Sequence, residues 1–86
     1  MQAEIWTKPN CPYCVKAKAL LSKNDVSYEE YIIGSDLTSD HLKTGQHLRT
    51  REDLLSIVPN AKTVPQIWLN GNYVGGYTEL EAFYKS

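Results

Sequence analysis

Residues 3–33 read AEIWTKPNCPYCVKAKALLSKNDVSYEEYII, and the succession of patterns in this stretch decides the fold. Residues 3–7 form a short strand-like run, and Lys8-Pro9-Asn10 after them is turn chemistry that cannot extend a sheet. Good helix formers with apolar residues at helical spacing run from Pro12 or Tyr13 to Lys23, and Asn24-Asp25 ends this helix. Residues 26–33 are rich in β-branched residues and tyrosine, which predicts a second strand. A strand, a helix and a strand in this order predict a parallel crossover unit.

The segment that follows, residues 34–46, is polar and has no strong period. It reads either as a loop or as a frayed helical turn. Thr50-Arg51-Glu52-Asp53 then resembles a capping sequence, and Pro59-Asn60 ends the helix that it starts. The expected buried stripe of this second helix consists of Leu54, Leu55, Ile57 and Val58.

A hairpin and a last helix complete the chain. Residues 65–69 read as a strand, Asn70-Gly71 is the strongest two-residue hairpin signal, and residues 73–75 form the returning strand. Thr78 is expected to cap the last helix. The predicted order is therefore β-α-β-α-β-β-α, in one α/β domain that spans residues 1–86. The expected apolar face of the last helix consists of Leu80, Phe83 and Tyr84.

The length and charge of the chain exclude several classes of protein. Eighty-six residues form one domain, and a formal charge of −1 gives no general attraction to nucleic acid or to an anionic membrane. Two cysteines are too few for the disulfide framework of a small secreted protein. The sequence shows neither a signal-peptide pattern nor an apolar stretch of membrane-spanning length. We therefore expect a cytoplasmic monomer in a reducing compartment, with no nucleic-acid or membrane partner.

The sequence Cys11-Pro12-Tyr13-Cys14 carries the chemistry, because it follows the first strand and opens the first helix. Two intervening residues let the sulfurs close into a short disulfide or open to a dithiol. Cys11 is expected at the helix N-cap, where unpaired N–H groups and the helix dipole favour a thiolate, and it is the candidate nucleophile. Cys14, one helical turn further on and nearer the buried face, is the candidate resolving thiol. Lys8 adds a nearby positive charge.

Half of a zinc or iron site is one alternative for the two cysteines, and a pair of inert buried thiols is another. A structural zinc ion needs four ligands, and the only histidines are His41 and His47, far along the chain in a segment without a clear pattern. We therefore expect no metal site and read both histidines as solvated loop residues.

Three motifs in this chain resemble those of a dithiol glutaredoxin. They are Cys11-Pro12-Tyr13-Cys14 at a strand-to-helix turn, Thr63-Val64-Pro65 before a strand, and Gly75-Gly76-Tyr77 before the last helix. The resemblance covers essentially the whole chain and is strongest to the small bacterial and phage-type members that support ribonucleotide reductase. It implies a thioredoxin-like fold with a four-stranded mixed sheet flanked by helices, in which a cis peptide bond precedes Pro65.

The resemblance also implies a glutathione site, with glutathione as co-substrate and no tightly bound cofactor. The backbone of Val64 would pair with the cysteinyl part of glutathione, and the start of the last helix would receive the γ-glutamyl carboxylate. The implied glutathione-binding residues are Lys8, Tyr13, Thr63, Val64, Pro65, Gly76, Tyr77 and Thr78.

Two features depart from the commonest family pattern. Thr78-Glu79 stands where many members have two aspartates, so Thr78 cannot make an ionic contact with the ammonium group of glutathione. The segment 34–49 is longer than in the nearest small relatives, and it is either a tolerated surface insertion or a determinant of partner choice. Arg49 and Arg51 are both candidates for the basic residue that meets the glycine carboxylate of glutathione.

The large aromatic side chains are interpreted as core before any functional role is considered. Tyr13 is the exception, because it lies inside the cysteine loop and is expected to be exposed, while Tyr77 is expected to be intermediate. The aromatic residues expected to pack between the sheet and the helices are Trp6, Tyr28, Tyr31, Trp68 and Phe83.

The function implied by the resemblance is that of a glutathione-dependent thiol–disulfide oxidoreductase. It would reduce protein disulfides and glutathione mixed disulfides through a cycle of Cys11 and Cys14, and ribonucleotide reductase is a candidate acceptor of its electrons. Two alternatives stay open. One is a thioredoxin-type reductase, whose motif commonly has Gly-Pro between the cysteines. The other is a glutathione-assisted iron–sulfur cluster-binding module, whose members usually have a single active-site cysteine.

Overall fold

The computed structural model describes residues 1–34 and 42–85, which form three helices and five strands. The α/β class is confirmed, and the order of elements is as predicted except for one additional strand. None of the helices in these ranges is both long enough and apolar enough to cross a membrane. In chain order the elements are β1 (Gln2–Thr7), α1 (Pro12–Lys23), β2 (Ser27–Ile33), β3 (Gln46–Arg49), α2 (Arg51–Ile57), β4 (Gln66–Leu69), β5 (Asn72–Gly75) and α3 (Tyr77–Lys85).

The sheet has the strand order β3-β2-β1-β4-β5. β1 pairs parallel with β2, β2 pairs parallel with β3, and β4 runs antiparallel to both β1 and β5. The prediction of four strands was therefore wrong, because the long segment after β2 contributes a fifth. This fifth strand is β3, and its pairing with β2 places Gln46 opposite Glu30 and Arg49 opposite Ile33. Residues 46–49 contain a single aliphatic side chain, so they lack the alternation that marks a strand in a sequence.

The hydrophobic core lies on the face of the sheet that α1 and α3 cover. Ile5, Leu21, Ile67 and Leu80 are each 0% exposed there. Because β1 leads directly into α1 through the turn at residues 8–11, this packing fixes the N-terminus of α1 at the end of the central strand. The buried cluster comprises Ala3, Ile5, Ala17, Leu21, Val26, Ile67, Leu69 and Leu80.

The opposite face carries an aromatic row instead of an aliphatic core. Trp6, which is 5% exposed, stacks on Tyr31 with ring centroids 5.0 Å apart, and Tyr31 stacks on His47 at the same separation. His47 therefore lies in β3 and not in a solvated loop, while His41 lies outside the described residues. Tyr28 packs against the core as expected, but Phe83 is 46% exposed, so its assignment to the core was wrong.

Two of the predicted helix starts and turns outside the cysteine motif were correct, and one was wrong. Thr50 caps α2 in a reciprocal capping box with Asp53, and Asn70-Gly71 forms the hairpin with φ values of 50° and 83°. Thr78, in contrast, does not cap the last helix, because α3 already begins at Tyr77. The expected stripe of α2 was also too wide. Leu54 is its buried residue, Leu55 and Val58 are intermediate, and Ile57 is 54% exposed.

Candidate active site

Cys11 is the N-cap residue of α1, as the sequence predicted, and has extended backbone angles of φ −112° and ψ 103°. Its sulfur accepts the backbone N–H of Cys14 at 3.2 Å. Pro12 follows as the first helical residue, where its missing N–H and fixed φ suit a helix start. Both cysteines are free thiols, and they are 7% and 2% exposed, respectively.

The loop before β4 lies against the Cys11 thiol. The Val64-Pro65 peptide bond is cis, as expected, and the Cys11 thiol donates to the Val64 carbonyl over 3.7 Å. The Gln66 side chain holds this turn by donating its amide to the Thr63 carbonyl at 2.8 Å. The main chain of Val64 is thus placed beside the candidate nucleophile.

A groove of about 290 Å³ extends from this loop to the start of α3. It brings together seven of the eight residues that the family resemblance implies for glutathione binding. Tyr13 is 58% exposed, as expected, and its ring lies 6.0 Å from that of Tyr77. Glu79 also lines the groove, although no role there was predicted for it. The complete lining is Tyr13, Thr63, Val64, Pro65, Gly76, Tyr77, Thr78 and Glu79.

The eighth predicted residue, Lys8, lies in a smaller cavity of about 100 Å³ that shares Thr63 and Val64 with the groove. Arg51 and Lys62 line the same cavity, so three cationic residues line a cavity that adjoins the groove at Thr63 and Val64. Arg49 points elsewhere, because its guanidinium lies 5.3 Å from the centre of the Tyr31 ring on the opposite face.

The other end of the groove is the N-terminus of α3. The Gly76 N–H donates to Glu79 Oε1 at 2.7 Å, so the Glu79 carboxylate folds back over the first turn. Gly75 makes this possible. Its φ is +122°, and a Cβ added at this position would lie 2.8 Å from Glu79 Oε1. In the first turn of α3 the N–H groups of Tyr77 and Thr78 have no partner within the helix.

Cys14 lies in surroundings that favour its protonated form. Burial and the hydrogen bond with Cys11 raise the pKa of Cys14 to about 12, although the Lys8 backbone N–H and the charge of Lys18 oppose this shift. Cys14 therefore holds its proton near neutral pH. Within residues 1–34 and 42–85, no three His, Cys, Asp or Glu side chains come together to hold a metal ion.

Three functional features were missed by reasoning from the sequence. Lys62 follows no motif, and the contact of the Glu79 carboxylate with the Gly76 N–H at the end of the groove was not predicted. The third is a buried hydrogen-bonded group around Glu30, which joins Lys18 on α1 to β2. The sequence indicates this group only through the spacing of Cys14 and Lys18, which places both side chains on one face of α1.

Comparison with known proteins supports one family. The family model described as Glutaredoxin matches residues 3–74. Over 79 residues the chain is 37% identical to glutaredoxin 3 of Escherichia coli, a match that covers 92% of this chain and 81% of that protein. Over 80 residues it is 36% identical to the hybrid peroxiredoxin hyPrx5 of Haemophilus influenzae, covering 93% of this chain but only 28% of the longer protein.

The structural comparison agrees. The crystal structure of glutaredoxin 1 from Francisella tularensis complexed with cacodylate superposes with a TM-score of 0.72 at 27% identity, covering 98% of this chain and 92% of the other. The predicted thioredoxin-like fold is thereby confirmed, with five strands where four were expected. The family model, the similarity to E. coli glutaredoxin 3 and the Cys-Pro-Tyr-Cys sequence at a helix N-cap agree. The chain therefore belongs to the glutaredoxin family of thiol–disulfide oxidoreductases.

Proposed function

We propose that this protein uses glutathione to reduce protein disulfides and glutathione mixed disulfides through a dithiol–disulfide cycle of Cys11 and Cys14. One observation supports this proposal above all. The Cys11 thiol lies at the N-terminus of α1, against the Val64 carbonyl, and Val64 lines a groove that ends at the N-terminus of α3.

The first half of the cycle needs an anionic sulfur at Cys11. Cys11 is the N-cap residue of α1, where the first-turn N–H groups and the helix dipole stabilise negative charge. The Cys11 thiolate attacks one sulfur of the substrate disulfide and expels the other as a thiolate. Cys14 then attacks Cys11, closes the intramolecular disulfide and releases the reduced substrate. Two molecules of glutathione regenerate the dithiol and leave as glutathione disulfide.

The shape and charge of the groove suit glutathione, a tripeptide with a carboxylate at each end. The γ-glutamyl carboxylate would accept the N–H groups of Tyr77 and Thr78 at the start of α3. The peptide backbone would pair with Val64, and the glycine carboxylate would lie near the cavity that Lys8, Arg51 and Lys62 border. Between the two arginines that the sequence left as candidates, this geometry favours Arg51 over Arg49.

Two cysteine variants test the cycle. Cys11→Ser should abolish glutathione-coupled reduction of both a small glutathione mixed disulfide and a protein disulfide. Cys14→Ser should retain turnover of the mixed disulfide and lose reduction of the protein disulfide, because only the second reaction requires a resolving thiol. Wild-type turnover that survives Cys11→Ser would refute the assigned nucleophile, and equal loss of both activities in Cys14→Ser would refute the assigned resolving role.

The reductant is tested by changing the electron donor. We expect rapid turnover when glutathione and glutathione reductase supply the electrons. We expect slow turnover when thioredoxin reductase supplies them instead. Activity with thioredoxin reductase only would contradict the glutathione assignment.

The proposed location and protein substrate are consistent with this reductant. A reducing cytoplasm, where we place the protein, would supply glutathione, and ribonucleotide reductase is the candidate protein substrate. Support of ribonucleotide reduction by the dithiol form, and its loss in Cys14→Ser, would test that link.

A further inference from the structure

Glu30 is a buried carboxylate that the proposed cycle does not use. It lies on β2, is 4% exposed, and faces α1 from within the sheet. Its Oε2 accepts the Thr7 hydroxyl at 2.7 Å and the Lys18 ammonium at 3.0 Å. Its Oε1 accepts the side-chain amide of Gln46 at 3.0 Å. A buried charge with three hydrogen-bond donors is expensive to assemble and therefore points to a role.

These hydrogen bonds border the resolving thiol. Cys14 and Lys18 stand four residues apart on α1, so their side chains share one face of the helix. An open groove of about 520 Å³ has Cys11, Cys14, Lys18, Glu30 and Gln46 among its lining residues. The ammonium of Lys18 is thus held by the buried carboxylate beside the open groove that Cys11 and Cys14 line.

Cys14 is the group that would benefit from a nearby cation. It is 2% exposed, and burial raises its pKa to about 12, so nearly every Cys14 thiol is protonated at neutral pH. The groups that face it are Cys11, the Lys8 backbone N–H and the charge of Lys18, and the last two favour its thiolate. Glu30 is the acidic group next to Lys18, and its ion pair with that lysine limits its own effect on the thiol.

We propose that Lys18 stabilises the thiolate of Cys14 in the two-cysteine half of the cycle, and that Glu30 and Gln46 are positioning residues that hold Lys18 there. This inference rests on the proposed function, which has two routes. Protein disulfides are reduced with both cysteines, and glutathione mixed disulfides are reduced with Cys11 alone. Lys18 is assigned to the route that uses both cysteines. The single-cysteine route never charges Cys14, so Lys18 should affect reduction of protein disulfides and leave reduction of glutathione mixed disulfides unchanged.

The Cys14 thiol gives its proton to water in the groove, and its thiolate attacks the Cys11 sulfur of the mixed disulfide. The bond between Cys11 and Cys14 forms, the bond between Cys11 and the substrate breaks, and the departing substrate thiolate takes a proton from water. The cysteine pair is oxidised and the substrate is reduced by two electrons. In the return step glutathione attacks Cys11, and Cys14 leaves as the thiolate that Lys18 stabilises.

The positioning has a visible structural basis. An unpaired lysine would extend into water, but the side chain of Lys18 is only 28% exposed because Glu30 holds its ammonium. Gln46 begins β3, and its Oε1 accepts the Lys43 N–H at 2.8 Å, which directs its amide group toward Glu30. The additional strand therefore contributes to the active site through Gln46 and is more than a surface insertion.

The test compares two activities in the same variant. An opposite charge within about 4–6 Å shifts a pKa by roughly 1–3 units, and we expect less here because Lys18 is shared with Glu30 and partly exposed. Lys18→Gln should lower the rate of protein-disulfide reduction by roughly 3–10-fold at pH 7, with mixed-disulfide turnover within about twofold of wild type. Lys18→Arg should restore most of the lost rate. Lys23→Gln removes an equal charge from the last turn of α1 and should change neither activity.

A double variant guards against unfolding, because Lys18→Gln alone leaves the Glu30 carboxylate buried without its cation. Lys18→Gln with Glu30→Gln removes both charges, and it should show the same selective loss of protein-disulfide reduction. Alkylation of Cys14 as a function of pH in a Cys11→Ser background should show a higher pKa when Lys18 is replaced. An unchanged ratio of the two activities in both variants would overturn the inference. Absence of glutathione-coupled turnover in the wild type would instead overturn the proposed function.

Discussion

Replacement of Glu79 by glutamine should tighten the binding of a glutathione mixed disulfide. The Glu79 carboxylate accepts the Gly76 N–H at 2.7 Å and lines the end of the groove where the γ-glutamyl carboxylate would bind. Two carboxylates at the same helix N-terminus repel each other. Glu79→Gln keeps the length of the side chain and removes the charge.

The size of this effect follows from distance and solvent exposure. Two unit charges about 4 Å apart interact by about 1 kcal/mol in water, and Glu79 is exposed, so the aqueous value is appropriate. Since 1.4 kcal/mol corresponds to a tenfold change, we expect the KM to fall about fivefold with little change in kcat. The helix should lose about 0.3–1 kcal/mol of stability, because an acidic side chain at its N-terminus is removed.

The assay is glutathione-coupled turnover of the glutathione mixed disulfide of a small neutral thiol. The difference in KM between Glu79→Gln and wild type should shrink in about 1 M salt, where the Debye length is about 3 Å. Asp25→Asn is the matched control, because it removes one negative charge beyond the far end of α1 and asparagine tolerates the positive φ of 58° found there. A KM that rises in Glu79→Gln would refute the reasoning and show that this carboxylate binds the ammonium group of the ligand.

Three further predictions concern charge and stability. Arg51→Gln should raise the KM for the same substrate by roughly 3–10-fold, as expected for loss of one partly screened charge, whereas Arg49→Gln should leave the KM unchanged because Arg49 lies on the opposite face. Thr50→Ala should destabilise the protein by about 1 kcal/mol, or about 4–8 °C in Tm, by breaking the capping box of α2, as measured by thermal unfolding. Burial alone would raise the pKa of Glu30, but hydrogen bonds from Thr7, Gln46 and Lys18 outweigh it and lower the pKa. Its contribution to stability is therefore present above the unfolded pKa of about 4.3 and is lost as the pH falls through the folded value. Urea midpoints between pH 6 and pH 3 should fall less steeply in Glu30→Gln than in wild type.

Local signals in the sequence predicted the parts of the structure that local geometry determines. Cys11 as an N-cap, the Asn70-Gly71 hairpin and the capping box at Thr50 each depend on two to four neighbouring residues. β3 was missed because it is held by the free edge of β2 and not by a pattern of its own. The N-terminus of α3 was placed too late because Gly75, with a φ of +122°, turns the chain into the helix before Thr78.

In the candidate site, too, the features that depend on neighbouring residues were predicted, and those that depend on tertiary contacts were not. The residues of the three motifs could be assigned from the sequence, and the structure places seven of the eight predicted binding residues around one groove. The choice between Arg49 and Arg51 required the structure, because it depends on which face of the sheet each guanidinium reaches. The bond between Lys18 and Glu30 joins residues twelve positions apart on two different elements, and no spacing rule connects them.

The two edges of the sheet have a consequence for behaviour in concentrated solution. An unpaired strand edge offers N–H and C=O groups to another chain, and long flat edges promote aggregation. Here the outer strands are β3 and β5, and each has only four residues. β3 ends in Arg49, and β5 ends at Gly75, where the chain turns away into α3. A second copy of the chain could form few backbone hydrogen bonds at either edge. The folded chain should therefore resist edge-to-edge aggregation at high protein concentration.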